Sequence, residues 1–125
     1  MNILATDMDG TFLDHLGSYD KVRLDKLLDA CEAKNYVFTV ASGRSLLALE
    51  ELFDGFVDRI AIIAENGALV QYKGEVLFES KLEPKDYLEI ADTTSALPTC
   101  EGILLSGRRG AYAPEDADPA YLKAM

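Results

Sequence analysis

Several residue types are scarce in this sequence, and each scarcity removes a class of function. Among 125 residues there are two cysteines, one histidine and no tryptophan. Cys31 and Cys100 form neither a metal-type spacing nor a redox motif, so both are read as reduced thiols. The longest apolar run, Ile60 to Ala64, falls far short of the ~20 residues of a membrane-spanning helix. The opening Met-Asn-Ile-Leu-Ala-Thr-Asp has no basic region, so no secretory leader is expected and a cytoplasmic location is. Positive charge is also in deficit: 12 Lys+Arg stand against 22 Asp+Glu, a net −10. That balance opposes sequence-independent binding to nucleic acid or to an anionic membrane surface. Neither G-x-x-x-x-G-K-[ST] nor G-x-G-x-x-G occurs, which excludes P-loop kinases and Rossmann oxidoreductases.

What is present fits an ordinary globular chain, 49% apolar and 27% charged, long enough to bury one core. Residues 2–6 form a short apolar run ending in an acidic, glycine-containing turn, the pattern of a buried parallel strand. A helix is expected after Gly17, with Ser18 or Asp20 as N-cap and Leu24, Leu27, Leu28 and Cys31 as its apolar stripe. Tyr36 to Val40 reads as a second strand, rich in β-branched and aromatic residues. It is followed by Ser42-Gly43-Arg44 and a helix whose apolar side is Leu46, Leu49, Leu52 and Phe53, with Gly55 beyond its end. Arg59 to Ala64 is a third strand, and β-α-β-α-β implies a parallel sheet with right-handed crossovers.

The pattern then changes. Ala68–Tyr72 and Glu75–Phe78 flank Lys73-Gly74, a hairpin signal. Pro84 opens a helical stretch that ends near Leu97-Pro98. Gly102–Ser106 and Ala111–Ala113 suggest a second hairpin, and the tail from Pro114 begins one more helix. A boundary is expected near residue 82, dividing residues 1–82 from 83–125.

The strongest chemical signal is Asp7-Met8-Asp9-Gly10-Thr11, directly after the first strand. In open α/β sheets, ligands bind beyond the carboxyl ends of the strands. Two carboxylates so close repel each other unless a cation lies between them, and Mg²⁺, a hard ion taking oxygen ligands, suits them. Gly10 permits a tight turn that presents N–H groups to an anion. After the second strand, Ser42, the neighbouring amides and a helix N-terminus make a phosphate cradle, although Ser-Gly before a helix also reads as a plain N-cap. Asn66-Gly67, after the third strand, is by itself only a turn signal.

Asp7-Met8-Asp9-Gly10-Thr11-Phe12-Leu13-Asp14 resembles motif I of the haloacid dehalogenase (HAD) superfamily of phosphatases. The resemblance implies an α/β, Rossmann-like parallel sheet core in residues 1–82 and the start of an α+β cap domain in 83–125. It implies Asp7 as the nucleophile that forms an aspartyl-phosphate, and Asp9 as the acid that protonates the leaving alcohol and then activates water. Mg²⁺ would be held by the Asp7 carboxylate and the Asp9 main-chain carbonyl. As an acid at neutral pH, Asp9 should have surroundings that raise its pKa. Ser42 sits where the superfamily carries motif II, and Ser42-Gly43-Arg44 is similar to the Cof-type (class IIB) form. There Arg44 either supports the site or pairs with a surface carboxylate. Ala64-Glu65-Asn66-Gly67-Ala68 resembles the Asn-Gly-Ala element of the same class, with Asn66 as turn residue or substrate contact. The implied activity is a Mg²⁺-dependent phosphatase for small phosphorylated metabolites.

Two family motifs have no match: a motif III lysine, since only Lys123 follows Lys85, and a Gly-Asp-x-x-x-Asp motif IV. The expectation is therefore an N-terminal portion that hydrolyses phosphate esters poorly by itself. Its first strand would be an unpaired apolar edge, open to self-association. Two rival readings remain: a non-catalytic phosphate- or Mg²⁺-binding protein on the same scaffold, and a receiver-type phosphoacceptor domain. Against the receiver, the third strand ends in Ala64-Glu65-Asn66, with no acceptor Asp. His15, Arg108 and Arg109 are read as solvated loop residues, and Glu115, Asp116 and Asp118 as a surface charge run.

Overall fold

The computed structural model describes residues 1–117 and Pro119. It divides the chain into two units, Met1–Ser80 and Lys81–Met125. The first unit is a five-stranded sheet in the order β1-β2-β3-β4-β5, with β1 Asn2–Asp7, β2 Tyr36–Ala41, β3 Ala61–Ala64, β4 Leu69–Tyr72 and β5 Glu75–Glu79. β1, β2 and β3 run parallel, while β4 and β5 are antiparallel additions. This is the α/β, Rossmann-like arrangement expected. The change of direction follows from loop length. Helices α1 (Lys21–Ala33) and α2 (Leu46–Leu52) carry the chain back for a parallel return, whereas Glu65–Ala68 and Lys73-Gly74 are too short for one. At the latter turn both residues have positive φ, +50° and +80°, as a two-residue hairpin turn requires.

α1 begins at Asp20, whose carboxylate accepts a hydrogen bond from the Arg23 N–H at 3.0 Å. Its Leu24, Leu28 and Cys31 are buried against the sheet with Phe38, Val40, Ile60 and Ile62, and Leu27 is partly buried. α2 adds Leu46 and Leu49, and Phe53 follows it into the core. Phe12 and Tyr19 pack on Phe38 and Phe53 with ring centroids 5.2 to 6.0 Å apart. The Tyr19 hydroxyl donates to the Leu52 carbonyl at 2.8 Å. These contacts tie the loop after β1 to α2 and so fix the ground beneath the candidate site.

β1 is the open edge expected of it, and it corrects only the expectation of burial. It is parallel, but it lies at the sheet's edge and is exposed along most of its length, with Ile3 67% and Leu4 41% exposed. Among the described residues no strand pairs with its free side. β3 is also shorter than expected, because Val57–Arg59 forms a single tight helical turn.

The second unit contains α3 (Pro84–Ser95) and a hairpin of β6 (Leu105–Gly107) and β7 (Gly110–Tyr112). Pro84 takes the first helical position, where its missing N–H costs nothing. No described residue of this unit is fully buried. The helix expected in the tail lies outside the described residues. No helix among the described residues is long and apolar enough to cross a membrane.

Candidate active site

Parallel strands β1, β2 and β3 end on the same side of the sheet, and the loops that leave them meet there. An open cleft of about 350 Å³ is lined by Asp7 from the end of β1, Ala41 from the end of β2 with Ser42 and Gly43 after it, and Ile63, Asn66 and Gly67 from β3 and its loop. Of the residues singled out in the sequence, Asp7, Ser42, Gly43 and Asn66 are thus brought together. Asp9, Gly10 and Arg44 stand beside this cleft in sequence but do not line it.

Asp7 is held by its own neighbour: one carboxylate oxygen accepts the Met8 N–H at 2.7 Å. The chain then turns sharply. Gly10 has φ +76°, a conformation open to glycine at little cost, and the Leu13 N–H closes the turn on the Met8 carbonyl at 3.0 Å.

The Ser42 loop differs from the sequence reading in an informative way. Ser45, not Ser42, caps α2: its hydroxyl oxygen accepts the Ala48 N–H at 3.2 Å. The helix therefore starts three residues too late for its N-terminus to join the cradle, and Ser42 is released from capping to face the cleft. The Ser42 hydroxyl oxygen accepts the Arg44 N–H at 3.2 Å, which leaves its own O–H to donate. The main chain is fastened to β3 and its loop by three bonds. Ser42 N–H donates to Ile63 O at 2.9 Å, Asn66 N–H to Ser42 O at 3.2 Å, and Glu65 N–H to Arg44 O at 3.0 Å.

Asn66 sits in a run of three left-handed residues, Glu65 (φ +52°), Asn66 (φ +55°) and Gly67 (φ +96°). Asparagine and glycine tolerate this region, whereas Glu65 is strained there, a kind of outlier that gathers at functional sites. The run lays the Asn66 carboxamide against Gly43: a Cβ on Gly43 would lie 2.9 Å from Asn66 Oδ1. Gly43 thus serves by its lack of a side chain, not by an unusual φ. Sequence reasoning offered no signal for this contact, nor for Ile63 and Gly67 as part of the wall.

Asp9 overturns an expectation. Arg44 grips it with two bonds, Nη2 to Oδ1 at 2.6 Å and Nε to Oδ2 at 3.0 Å. The hydrogen bonds of Arg44 hold the Asp9 carboxyl below its ordinary pKa, with desolvation opposing them and the charge of Arg44 adding to them. Its surroundings lower the pKa, where an acid at neutral pH needs the reverse. Of the two roles open to Arg44, the structure shows pairing, with a carboxylate of motif I.

For a divalent cation, the Asp7 carboxylate and nearby main-chain carbonyls are hard oxygen donors. Mg²⁺ commonly binds one or two carboxylates and keeps its remaining waters, so the donor set fits. Among the described residues no group of three or more acidic, His or Cys side chains completes a cage.

Comparison with known proteins agrees with the fold. A family profile described as haloacid dehalogenase-like hydrolase matches residues 4–124. The chain is 30% identical over 120 residues to a 5-amino-6-(5-phospho-D-ribitylamino)uracil phosphatase of Escherichia coli, covering 96% of this chain and 44% of that protein. The crystal structure of SMU.1108c from Streptococcus mutans UA159 superposes with a TM-score of 0.90 at 31% identity, over 98% of this chain and 46% of that one. The HAD subclass IIB sugar phosphatase BT4131 shares the fold with a TM-score of 0.64 at 21% identity, over 89% of this chain and 43% of its own. The chain spans less than half the length of each of these relatives.

Proposed function

Because the chain belongs to the haloacid dehalogenase-like hydrolase family, we propose that it bears the nucleophile of a Mg²⁺-dependent phosphatase acting on small phosphorylated metabolites in the cytoplasm. The observation that carries this reading is the convergence of Asp7 from the end of β1, Ser42 from the loop after β2 and Asn66 from the loop after β3 on one cleft. A phosphoric monoester would bind with its phosphoryl oxygens on the Ser42 hydroxyl, the Gly43 amide and the Asn66 carboxamide. The Asp7 carboxylate attacks phosphorus, the P–O bond to the alcohol breaks, and the phosphoryl group passes to Asp7. Asp9, having taken up a proton from solvent, gives it to the leaving oxygen, then takes one from the water that cleaves the aspartyl-phosphate. For that role Asp9 must first leave Arg44. The Asp7 carboxylate and the Asp9 main-chain carbonyl would hold Mg²⁺, which when bound would supply positive charge against the phosphoryl oxygens.

The described residues that line the cleft include no lysine and, besides Asp7, no carboxylate. Hydrolysis by these 125 residues alone is therefore expected to be slow. The same observation favours a second reading, in which the chain binds Mg²⁺ or phosphate without turnover. A receiver-type domain is set aside by the family match and by the antiparallel β4 and β5. The net −10 charge supports a small-molecule partner rather than nucleic acid or an anionic membrane.

Phosphate release from p-nitrophenyl phosphate and acetyl phosphate, with Mg²⁺ and with EDTA, tests the proposal. Slow Mg²⁺-dependent turnover is expected, abolished by Asp7→Asn and lowered about 10²-fold or more by Asp9→Asn. Turnover that survives Asp7→Asn would remove the nucleophile assignment. A folded chain that binds phosphate but never releases it from an ester supports the non-catalytic reading.

A further inference from the structure

We propose that Arg44 is an exchangeable clamp: it holds the Asp9 carboxylate and is drawn from Asp9 onto the phosphate of an incoming ligand, so that ligand binding itself frees Asp9. The inference rests on the reading of the cleft as a phosphate site and adds to it how Asp9 is released.

Three observations carry it. First, the clamp is bidentate, at 2.6 and 3.0 Å, and uses Nε and Nη2. A guanidinium fork matches a carboxylate and a phosphate with the same geometry, so one can replace the other. Second, the Arg44 main chain is part of the cleft loop. Its N–H donates to the Ser42 hydroxyl oxygen at 3.2 Å, and its carbonyl accepts from Glu65 at 3.0 Å. The backbone is therefore fixed beside the proposed phosphate ligands Ser42 and Gly43, while the long side chain alone reaches over to the loop after Asp7. Third, the pair is open to water, with the Arg44 side chain 35% and the Asp9 side chain 66% exposed. An exposed pair is weak, and a phosphate near −2 offers Arg44 more charge than one carboxylate. The competition therefore runs in favour of the ligand.

The clamp reduces apparent phosphate affinity by the fraction of molecules in which Arg44 is engaged. This separates exchange from simple repulsion between Asp9 and phosphate. The test is a titration with inorganic phosphate, Mg²⁺ present throughout, of the wild type, Asp9→Asn, Arg44→Met and the double variant. Binding is followed by NMR at the Ser42 and Gly43 amides and at the Arg44 Nε–H. Unchanged amide spectra elsewhere show that each variant is folded. In the wild type the Arg44 Nε–H is expected to shift along the same binding curve as the two amides. Asp9→Asn is expected to tighten phosphate roughly two- to fivefold, the range of an exposed ion pair, and to give no such gain when Arg44 is Met. An Arg44 Nε–H that does not move while the amides do, or an equal gain in both backgrounds, overturns the exchange and leaves the phosphate site standing. Failure of the Ser42 and Gly43 amides to respond overturns both.

Discussion

Asp9 sits two residues beyond the proposed nucleophile, yet its carboxylate is committed to Arg44, 35 positions away in the chain. Its folded pKa is lowered from an ordinary 3.8, so the pair adds stability that is complete above pH 3.8 and lost as the pH falls through the lower folded value. The melting temperature of the wild type should therefore exceed that of Asp9→Asn near neutral pH, and the gap should narrow below pH 3.8. A gap that stays constant into acid would show that the pair contributes nothing. Gly43 carries a second prediction at this scale. Its Cα faces Asn66 so closely that an added Cβ would stand 2.9 Å from Oδ1 and 3.2 Å from Nδ2. Gly43→Ala should therefore turn the Asn66 carboxamide aside. The fold should be retained, because the obstructing atoms are the end of a side chain. The Asn66 side-chain amide resonances should move, and phosphate binding should weaken. If Asn66 moves and phosphate affinity is untouched, Asn66 is only a turn residue.

Among the elements, α1 is fastened to the helical turn before β3 by one cation. Arg59 reaches Asp25 and Asp29 at 2.7 Å and Glu32 at 2.9 Å, three carboxylates on one face of α1 that repel one another without it. Arg59→Met should destabilise the first unit by about 1 kcal/mol at low ionic strength and by less in high salt, since exposed pairs are screened. Chemical denaturation at two salt concentrations measures this, and equal losses at both would point to lost packing instead. The carboxylates are half-legible in the sequence, because their spacing on a helix is plain while their partner is not. The same division holds across the chain. α1, β2, the Lys73-Gly74 hairpin and the Pro84 start of α3 were readable, because periodicity, capping and turn chemistry act over a few residues. Asp7, Ser42 and Asn66 were readable as candidates because each ends a strand. The Ser45 cap was not, since Ser42 and Ser45 both precede the same apolar stripe and only packing decides where the first turn closes. The left-handed Glu65 and the Asp9–Arg44 pair were hidden for a related reason: both depend on which loops the sheet brings side by side.

For the first unit as a whole, two opposing features meet at β1. Its outer side, which no strand among the described residues pairs, exposes Ile3 and Leu4, while Val22 and Tyr36 are also exposed. Asn2–Asp7 contains no lysine and no proline, the usual devices that keep an edge strand from pairing with another chain. Against association stands the net −10 charge, which makes copies repel at long range. Salt weakens the repulsion but leaves apolar contact and backbone pairing in place. Self-association should therefore rise with ionic strength, the opposite of an interface held by ion pairs. Light scattering across a range of protein and salt concentrations should show a mass growing beyond the monomer's 13.7 kDa as salt is added. Ile3→Lys places a charge on the edge and should restore the monomer without disturbing the core, because Ile3 is 67% exposed. A wild-type chain that stays monomeric at high concentration and high salt would show that the exposed edge of β1 does not pair.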